Sequence, residues 1–158
     1  MMDTWPAWIP RLVKRLPGYA SAYRDAGVPA GVAVHRLNGQ DASFLYTETP
    51  TVLMHTIKVQ IFESHYQRAD YAILRERLNT ALNAVPMLRQ RVMFVPLNLH
   101  HPVLVDDPEF DLDSHIYRAA LPAPGGMREL HDMVSQIMCH RLDRSRPMWE
   151  LWLLTGLE

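Results

Sequence analysis

The stretch of sequence that most constrains the fold is residues 144–154, RSRPMWELWLL. It contains no Gly, its apolar residues fall on both sides of a period of two, and Glu150 is the only charged residue after Pro147. This pattern is typical of a strand that is covered on both faces and has Pro at its first position. Such a strand belongs in the middle of a sheet. Because only four residues follow it, we expect that this chain does not supply all of its neighbours.

Length, composition and charge bound the class of protein. With 158 residues, of which 48% are hydrophobic, the chain is long enough for one globular domain. A net charge of −1 gives no broad basic field, so we expect no nucleic-acid partner. The single Cys139 fits a reducing compartment, and we interpret it as a small core residue. No apolar run has the roughly 18–20 residues of a transmembrane helix and no signal peptide is predicted, so we expect a cytoplasmic protein.

The N-terminal residues 1–34 differ from the main domain, residues 35–158, and are predicted to form an arm with short helices. Trp5 and Trp8 fall at helical spacing with basic residues on the opposite side, but Pro10 limits a regular helix to about two turns. One interpretation is an anchor on a membrane surface, with Trp at the interface and basic residues toward anionic lipid. The other is an arm packed on the domain, which we favour because two turns are marginal alone.

Hydrophobic periodicity predicts an alternation of strands and helices in the main domain. A short helix carrying Phe44 and Leu45 is expected after Asp41, which we interpret as its cap. The longer elements are predicted in the order strand, helix, three strands, helix, strand, at residues 55–62, 70–84, 88–95, 101–105, 111–121, 127–141 and 144–154. This order predicts an α+β fold in which helices pack on a mixed β-sheet.

The same periodicity predicts the core. Trp149 is expected to be buried in the closing strand. The other predicted core residues are the helix stripes and strand anchors Leu74, Leu78, Ala81, Leu82, Val85, Leu112, Ile116, Leu121, Leu130, Val134 and Ile137. We also interpret four methionines as core, although flexible thioethers suit an acyl tunnel as well: Met127, Met133, Met138 and Met148.

Three segments, taken together, carry a resemblance to a known family. Residues 37–51 (LNGQDASFLYTETPT), 101–115 (HPVLVDDPEFDLDSH) and 142–150 (LDRSRPMWE) resemble, in this order, the bacterial wax ester synthase/acyl-CoA:diacylglycerol acyltransferase family. Met148 stands where the Pro-Leu-Trp motif of that family has Leu. The resemblance covers residues 37–158 and leaves the N-terminal arm outside.

The resemblance implies a fold and a reaction. The fold would resemble the N-terminal half-domain of the chloramphenicol acetyltransferase-like, CoA-dependent acyltransferase fold. The reaction would transfer a long-chain acyl group from acyl-CoA to a diacylglycerol or a fatty alcohol, giving triacylglycerol or wax ester, with acyl-CoA as substrate and no cofactor. Pro147, Met148 and Trp149 would lie near the active site. Peripheral contact with the inner membrane or with lipid droplets would follow from such substrates.

The family's catalytic motif, His-His-x-x-x-Asp-Gly, is absent from this sequence. In the family this motif follows the Pro-Leu-Trp segment, and its second His takes the proton of the acceptor hydroxyl, as a neutral imidazole can near pH 7. The only His pair here is His100-His101, and Asp106 lies one residue too far along. That pair also belongs to a segment that resembles an earlier part of the family. We therefore assign no catalytic residue, and we expect the chain alone to be inactive and to end before the chemistry.

Other polar residues receive structural interpretations. His100, His101, Asp106 and Asp107 do not have the spacing of a recognised metal site, so no metal is expected. His55, a lone His beside apolar residues, is interpreted as structural, although it could line a tunnel.

Glu150 stands inside an apolar strand and needs a partner if it is buried. The expected partner is Arg144, Arg146 or an Arg of a neighbouring strand.

Two classes of function remain open. In the first, the chain is part of an acyl-CoA:diacylglycerol O-acyltransferase or wax ester synthase. In the second, it is a non-catalytic fragment that binds lipid or CoA, or a subunit that pairs with a separate C-terminal half. In both, the apolar closing strand would drive association, either with a second copy or with that half.

Overall fold

The computed structural model describes residues 34–62, 71–96 and 99–158. Of the predicted N-terminal arm only Val34 is included, so its helices lie outside the described residues. The helices are α1 (Gly39–Thr47), α2 (Tyr71–Ala84) and α3 (Met127–Met138), and 3₁₀ helices occupy Pro86–Arg89 and Leu112–His115. The strands are β1 (His35–Arg36), β2 (Gln90–Met93), β3 (Val103–Asp106), β4 (Ile116–Ala120) and β5 (Leu151–Thr155).

The strands of the described residues form two sheets, not the single mixed sheet that the sequence predicted. One sheet is antiparallel, in the order β1-β3-β2, and the other is the parallel pair β4-β5. The α+β class is confirmed, since helices and sheets mix along the chain. No strand in the described part of the chain hydrogen-bonds to both sheets.

The predicted strand at residues 55–62 is wrong. This segment is neither strand nor helix, and its apolar side chains Ile57, Val59 and Ile61 are exposed. Its alternating pattern defines an apolar face, but a strand is stable only beside a partner and over a core. Nothing within the described ranges pairs with residues 55–62, so this segment does not join a sheet.

The prediction of a central closing strand is also wrong. β5 begins at Leu151, not at Pro147, and in the described part of the chain it pairs only with β4. Its residues Leu151–Leu154 are half-buried instead of covered on both faces. Trp152 stands opposite Tyr117 of β4, and the two rings stack with centroids 4.6 Å apart.

The first helix of the main domain begins earlier than predicted. Asn38, not Asp41, is the N-cap of α1: its Oδ1 accepts from the Asp41 N–H at 2.8 Å. The Asp41 carboxylate accepts in turn from Asn38 Nδ2 at 2.8 Å. Both residues are good caps, and the upstream one starts the helix.

The helices α2 and α3 confirm the two long helical predictions, with differences at their ends. Leu82 and Leu130 are buried in them. Four predicted core residues are exposed instead, and all lie at the ends of helices or just beyond them: Val85, Met127, Met138 and Cys139. The strands predicted at 88–95 and 111–121 each begin as a 3₁₀ helix, and Leu112, Ile116 and Leu121 are buried as expected.

Alternation along β2 and β3 creates two apolar clusters on opposite faces of their sheet. One contains Met93, Val95, Val103 and Val105. The other joins Val92 and Leu104 to Leu45 of α1. A third cluster joins α2 to β4 through Leu82, Leu112 and Ile116. No helix within the described ranges is long and apolar enough to cross a membrane.

Candidate functional site

The segment between α3 and β5 contains the three residues that the resemblance places near an active site. Pro147 is buried, and its carbonyl accepts from the Trp149 N–H at 2.9 Å, which makes a tight turn. The turn sends two adjacent side chains into different clusters. Met148 packs with Leu45 on the face of the antiparallel sheet, and Trp149 packs with the cluster between α2 and β4.

Trp149 is held at both of its polar ends. Its indole Nε1–H donates to the carbonyl of Leu88 at 2.8 Å. Its own carbonyl accepts from Nδ1 of His115 at 2.8 Å. Because a carbonyl only accepts, this contact requires a proton on His115 Nδ1. Trp149 is half-buried, so the expected burial is confirmed in part.

A column of stacked groups continues from Trp149. The His115 ring stacks on the Trp149 ring with centroids 4.5 Å apart, and Phe110 stacks on the other side of His115 at 5.3 Å. The guanidinium of Arg89 lies 5.7 Å from the centre of the Phe110 ring. Arg89 follows Leu88 in the chain, and Leu88 accepts the hydrogen bond from the Trp149 indole. The contacts that begin at Trp149 therefore lead back to it. His115 is 2% exposed.

A largely buried carboxylate connects the first resembling segment to the last one. Glu48, at the end of α1, has a side chain that is only 11% exposed, and it pairs with both Arg141 and Arg144. Burial alone would raise its pKa, but hydrogen bonds from the two guanidinium groups outweigh burial and lower the pKa of Glu48 below its usual value. Arg144 also donates to the carbonyl of Leu45 at 3.2 Å.

The partner predicted for Glu150 is wrong. Glu150 is half-buried and accepts from the indole N–H of Trp152 at 3.0 Å. The two expected partners are engaged elsewhere: Arg144 with Glu48, and Arg146 with Asp143 at 3.3 Å. These arginines precede the turn at Pro147, which points them away from Glu150.

The His100-His101 pair is engaged in local contacts. The His101 N–H donates to His100 Nδ1 at 2.7 Å, and the Tyr46 hydroxyl lies 3.1 Å from His101 Nδ1. Downstream, the Asp106 carboxylate accepts from Gln90 at 2.9 Å, across the pair of strands β2 and β3. Among the described residues, no group of three or more His, Cys, Asp or Glu could hold a metal ion. His55 is half-buried in the segment that forms no strand.

An ion pair fixes α2 to the second 3₁₀ helix. Arg75 binds the Asp113 carboxylate through two nitrogens, at 2.8 and 2.9 Å, and the Tyr71 hydroxyl donates to it at 2.8 Å. The hydrogen bonds from Arg75 and Tyr71 lower the pKa of Asp113 to about 2.

Sequence reasoning missed the contacts of Asp113, His115 and Glu48. Their only signal was that all three lie in the segments that carry the resemblance.

Comparison with known proteins agrees with the three segments. Residues 37–158 match the wax ester synthase/diacylglycerol acyltransferase catalytic domain family. A Mycobacterium tuberculosis protein, whose name gives diacylglycerol O-acyltransferase as a provisional activity, is 40% identical over 127 residues, which are 79% of this chain and 27% of that protein. A second such protein from that organism is 38% identical over 125 residues, or 79% of this chain and 46% of its own length.

A solved structure gives the same result. The wax ester synthase/diacylglycerol acyltransferase from Marinobacter aquaeolei VT8 superposes with a TM-score of 0.58 and 32% identity, over 78% of this chain and 31% of that one. The present chain thus spans between about a quarter and a half of the length of these relatives. The match over residues 37–158 confirms the resemblance: this chain belongs to the wax ester synthase/diacylglycerol acyltransferase catalytic domain family.

Proposed function

We propose that this chain forms part of the catalytic domain of an O-acyltransferase that transfers a long-chain acyl group from acyl-CoA to a diacylglycerol or a fatty alcohol. The observation that carries the proposal is the match of residues 37–158 to the family's catalytic domain. The names of the mycobacterial relatives support the diacylglycerol acceptor, and the name of the Marinobacter protein supports both acceptors. The products would be triacylglycerol or wax ester, and acyl-CoA would be a substrate, with no separate cofactor.

In this reaction the acceptor oxygen attacks the thioester carbonyl, a general base takes the hydroxyl proton, and the CoA thiol leaves. A positioned base contributes about 10²- to 10⁴-fold to the rate. Residues 1–158 contain no His-His-x-x-x-Asp-Gly motif to supply it. The proposed contribution of this chain is a wall of the site, built by Pro147, Met148 and Trp149 on the two clusters that hold them.

Thiol release from palmitoyl-CoA, with hexadecanol or a diacylglycerol as acceptor, tests this proposal. We expect no turnover by the chain alone. We expect turnover when a separately produced polypeptide that carries the His-His-x-x-x-Asp-Gly part of a family member is added, and its loss when Trp149→Ala replaces the native chain. Robust turnover by the chain alone that is lost in His101→Ala would contradict the assignment of no catalytic residue.

The alternative function is non-catalytic: a fragment that binds lipid or CoA, or a subunit that pairs with a separate C-terminal half. The exposed apolar residues at 57–62 and the single pairing of β5 within the described ranges favour a partner strand or subunit. Calorimetric titration with palmitoyl-CoA and with CoA separates these possibilities. Binding of palmitoyl-CoA without turnover in the reconstituted mixture would favour the non-catalytic function.

We further propose that the protein acts in the cytoplasm, at the inner membrane or on lipid droplets, where long-chain products collect. If residues 1–34 form the anchor, the less favoured of the two interpretations, Trp5, Trp8 and the basic residues beside them would strengthen that contact. Flotation with anionic liposomes compares the whole chain with a chain that starts at His35. Equal flotation of the two would leave the packed-arm interpretation for residues 1–34.

A further inference from the structure

The register of the parallel pair shows where its ladder stops. Ile116 pairs with Leu151, and each later residue of β4 pairs with the corresponding residue of β5. One step further toward the N-termini, the same register would place His115 opposite Glu150. Two steps further, it would place Ser114 opposite Trp149. The ladder ends at Ile116 and Leu151, because the 3₁₀ helix Leu112–His115 precedes β4 and the turn at Pro147 precedes β5.

Side chains bind two carbonyls just before the ladder, and a longer ladder would have used that of Trp149. The Trp149 carbonyl accepts from His115 Nδ1 at 2.8 Å. The Ser114 carbonyl accepts from Arg146 Nη1 at 3.3 Å. The Trp149 carbonyl is therefore satisfied without strand pairing, which allows residues 147–150 to leave the sheet and turn.

His115 does more than satisfy a carbonyl. It is the inner member of the stacked column between Phe110 and Trp149, and its ring is nearly parallel to both, at interplanar angles of 22° and 18°. One side chain thus fixes the backbone of Trp149 through a hydrogen bond and the indole of Trp149 through stacking. The indole is then aligned to donate to Leu88.

We propose that His115 is the positioning residue of the Pro147-Met148-Trp149 segment. Its Nδ1–H holds the Trp149 carbonyl out of the β4–β5 ladder, and its ring aligns the indole. The proposal deepens the proposed function, because it rests on that function for the idea that this segment lines the acyl-transfer site. It adds a residue outside the segment that sets the segment's geometry.

The state of His115 in the native chain provides the first test. ¹⁵N chemical shifts of the imidazole report which nitrogen carries the proton, and hydrogen exchange reports whether it is shielded from solvent. The proposal predicts a protonated Nδ1 whose hydrogen exchanges slowly. A neutral imidazole with its proton on Nε2 alone would overturn the proposal without any variant.

Two variants separate the hydrogen bond from the stack. His115→Asn keeps an N–H donor near the position of Nδ1 but removes the ring, and His115→Phe keeps a ring but removes the donor. The measured quantity is the exchange rate of the Trp149 indole N–H, compared with urea unfolding of the same variant. We expect His115→Phe to exchange about tenfold faster than its change in global stability explains, because the Trp149 carbonyl loses its donor. We expect His115→Asn to exchange faster as well, because the indole loses its stacked ring.

His131→Phe, at an exposed position of α3, is the matched control and should leave the indole rate unchanged. An unchanged rate in His115→Phe would overturn the proposal. An unchanged rate in His115→Asn would contradict the alignment of the indole by the ring. None of these measurements involves acyl-CoA or turnover, so they can fail while the proposed function stands, and the reverse.

Discussion

The segment around Trp149 and the segment at residues 55–62 both have apolar patterns that predict a strand. In the structure the first is packed against other residues, whereas the second is exposed. Trp149 finds a hydrogen bond at each end, a stacked ring and an apolar cluster. Phe62 is 77% exposed and Ile61 is 56% exposed, in a segment that forms no strand. The difference shows that an apolar pattern identifies a segment that can bury one face. Whether that face is buried depends on the strands and core residues that the rest of the chain supplies.

The largest expected effect is a loss of stability when the segment around Trp149 is changed. Trp149→Ala should lower the free energy of unfolding by about 3 kcal/mol, the low end for a core Trp because the side chain is half-buried. Phe62→Ala, the matched change in the other region, should cost less than about 0.5 kcal/mol. Urea unfolding measures both. A loss below about 1 kcal/mol for Trp149→Ala, or equal losses for the two variants, would remove the contrast.

Gly125 tests the far end of the β4–β5 pair. Its φ is +81°, and a Cβ there would lie 2.2 Å from the carbonyl oxygen of Gly156. Gly125→Ala should therefore cost about 2 kcal/mol or more. The adjacent Gly126 has a φ of −85°, and a Cβ there would lie 3.2 Å from the movable Glu129 carboxylate, so Gly126→Ala should cost less than about 1 kcal/mol. Thermal unfolding compares the two, and equal losses would mean that this end of the pair is loose.

The ion pairs of Glu48 with Arg141 and Arg144 predict how the free energy of unfolding depends on pH. The pKa of Glu48 is lower in the folded chain than its usual value of 4.5, so its ionised form stabilises the fold above that pH. This stability is lost as the pH falls through the lowered pKa. Glu48→Gln should cost about 1–2 kcal/mol at neutral pH and less in acid.

Glu76→Gln, at an exposed position of α2, is the control for Glu48→Gln. It should change neither the free energy of unfolding at neutral pH nor the decrease of that free energy in acid. Urea unfolding from pH 7 to pH 3 provides the measurement. A Glu48→Gln curve parallel to that of the native chain would show that the arginines do not stabilise the carboxylate. Asp113 adds stability that is lost progressively as the pH falls from its usual pKa of 3.8 through its lowered pKa of about 2.

Local pattern was enough for much of the fold. Helix α2 was predicted to within one residue because its stripe and its start and stop signals agree, and β3 followed from a short apolar run beside an acidic turn. The family also followed from residues, because three segments lay in the right order. The strands at 55–62 and 147–150 failed because strand formation depends on a partner, which a period of two does not reveal.

The contacts of the candidate site could not be predicted in the same way. His115 and Trp149 are 34 residues apart, and Glu48 and Arg141 are 93 apart. No local signal pairs such residues, since each is an ordinary His, Trp, Glu or Arg in its own segment. Their placement in the resembling segments marked the region, and the fold then decided which side chains meet.

Self-association tests the contrast between the packed and the exposed segment most directly. It measures whether the exposed apolar surface, residues 55–62 and the edge of β5, binds a second copy of the chain. Light scattering across a dilution series should show an average mass that rises with concentration for the native chain, most simply toward a two-fold dimer. Phe62→Lys, and Trp152→Lys on β5, should shift this rise to higher concentration, while Glu76→Gln should not. A monodisperse monomer at high concentration, with every variant behaving alike, would contradict the account: neither residues 55–62 nor the β5 edge would then be a surface that binds a partner.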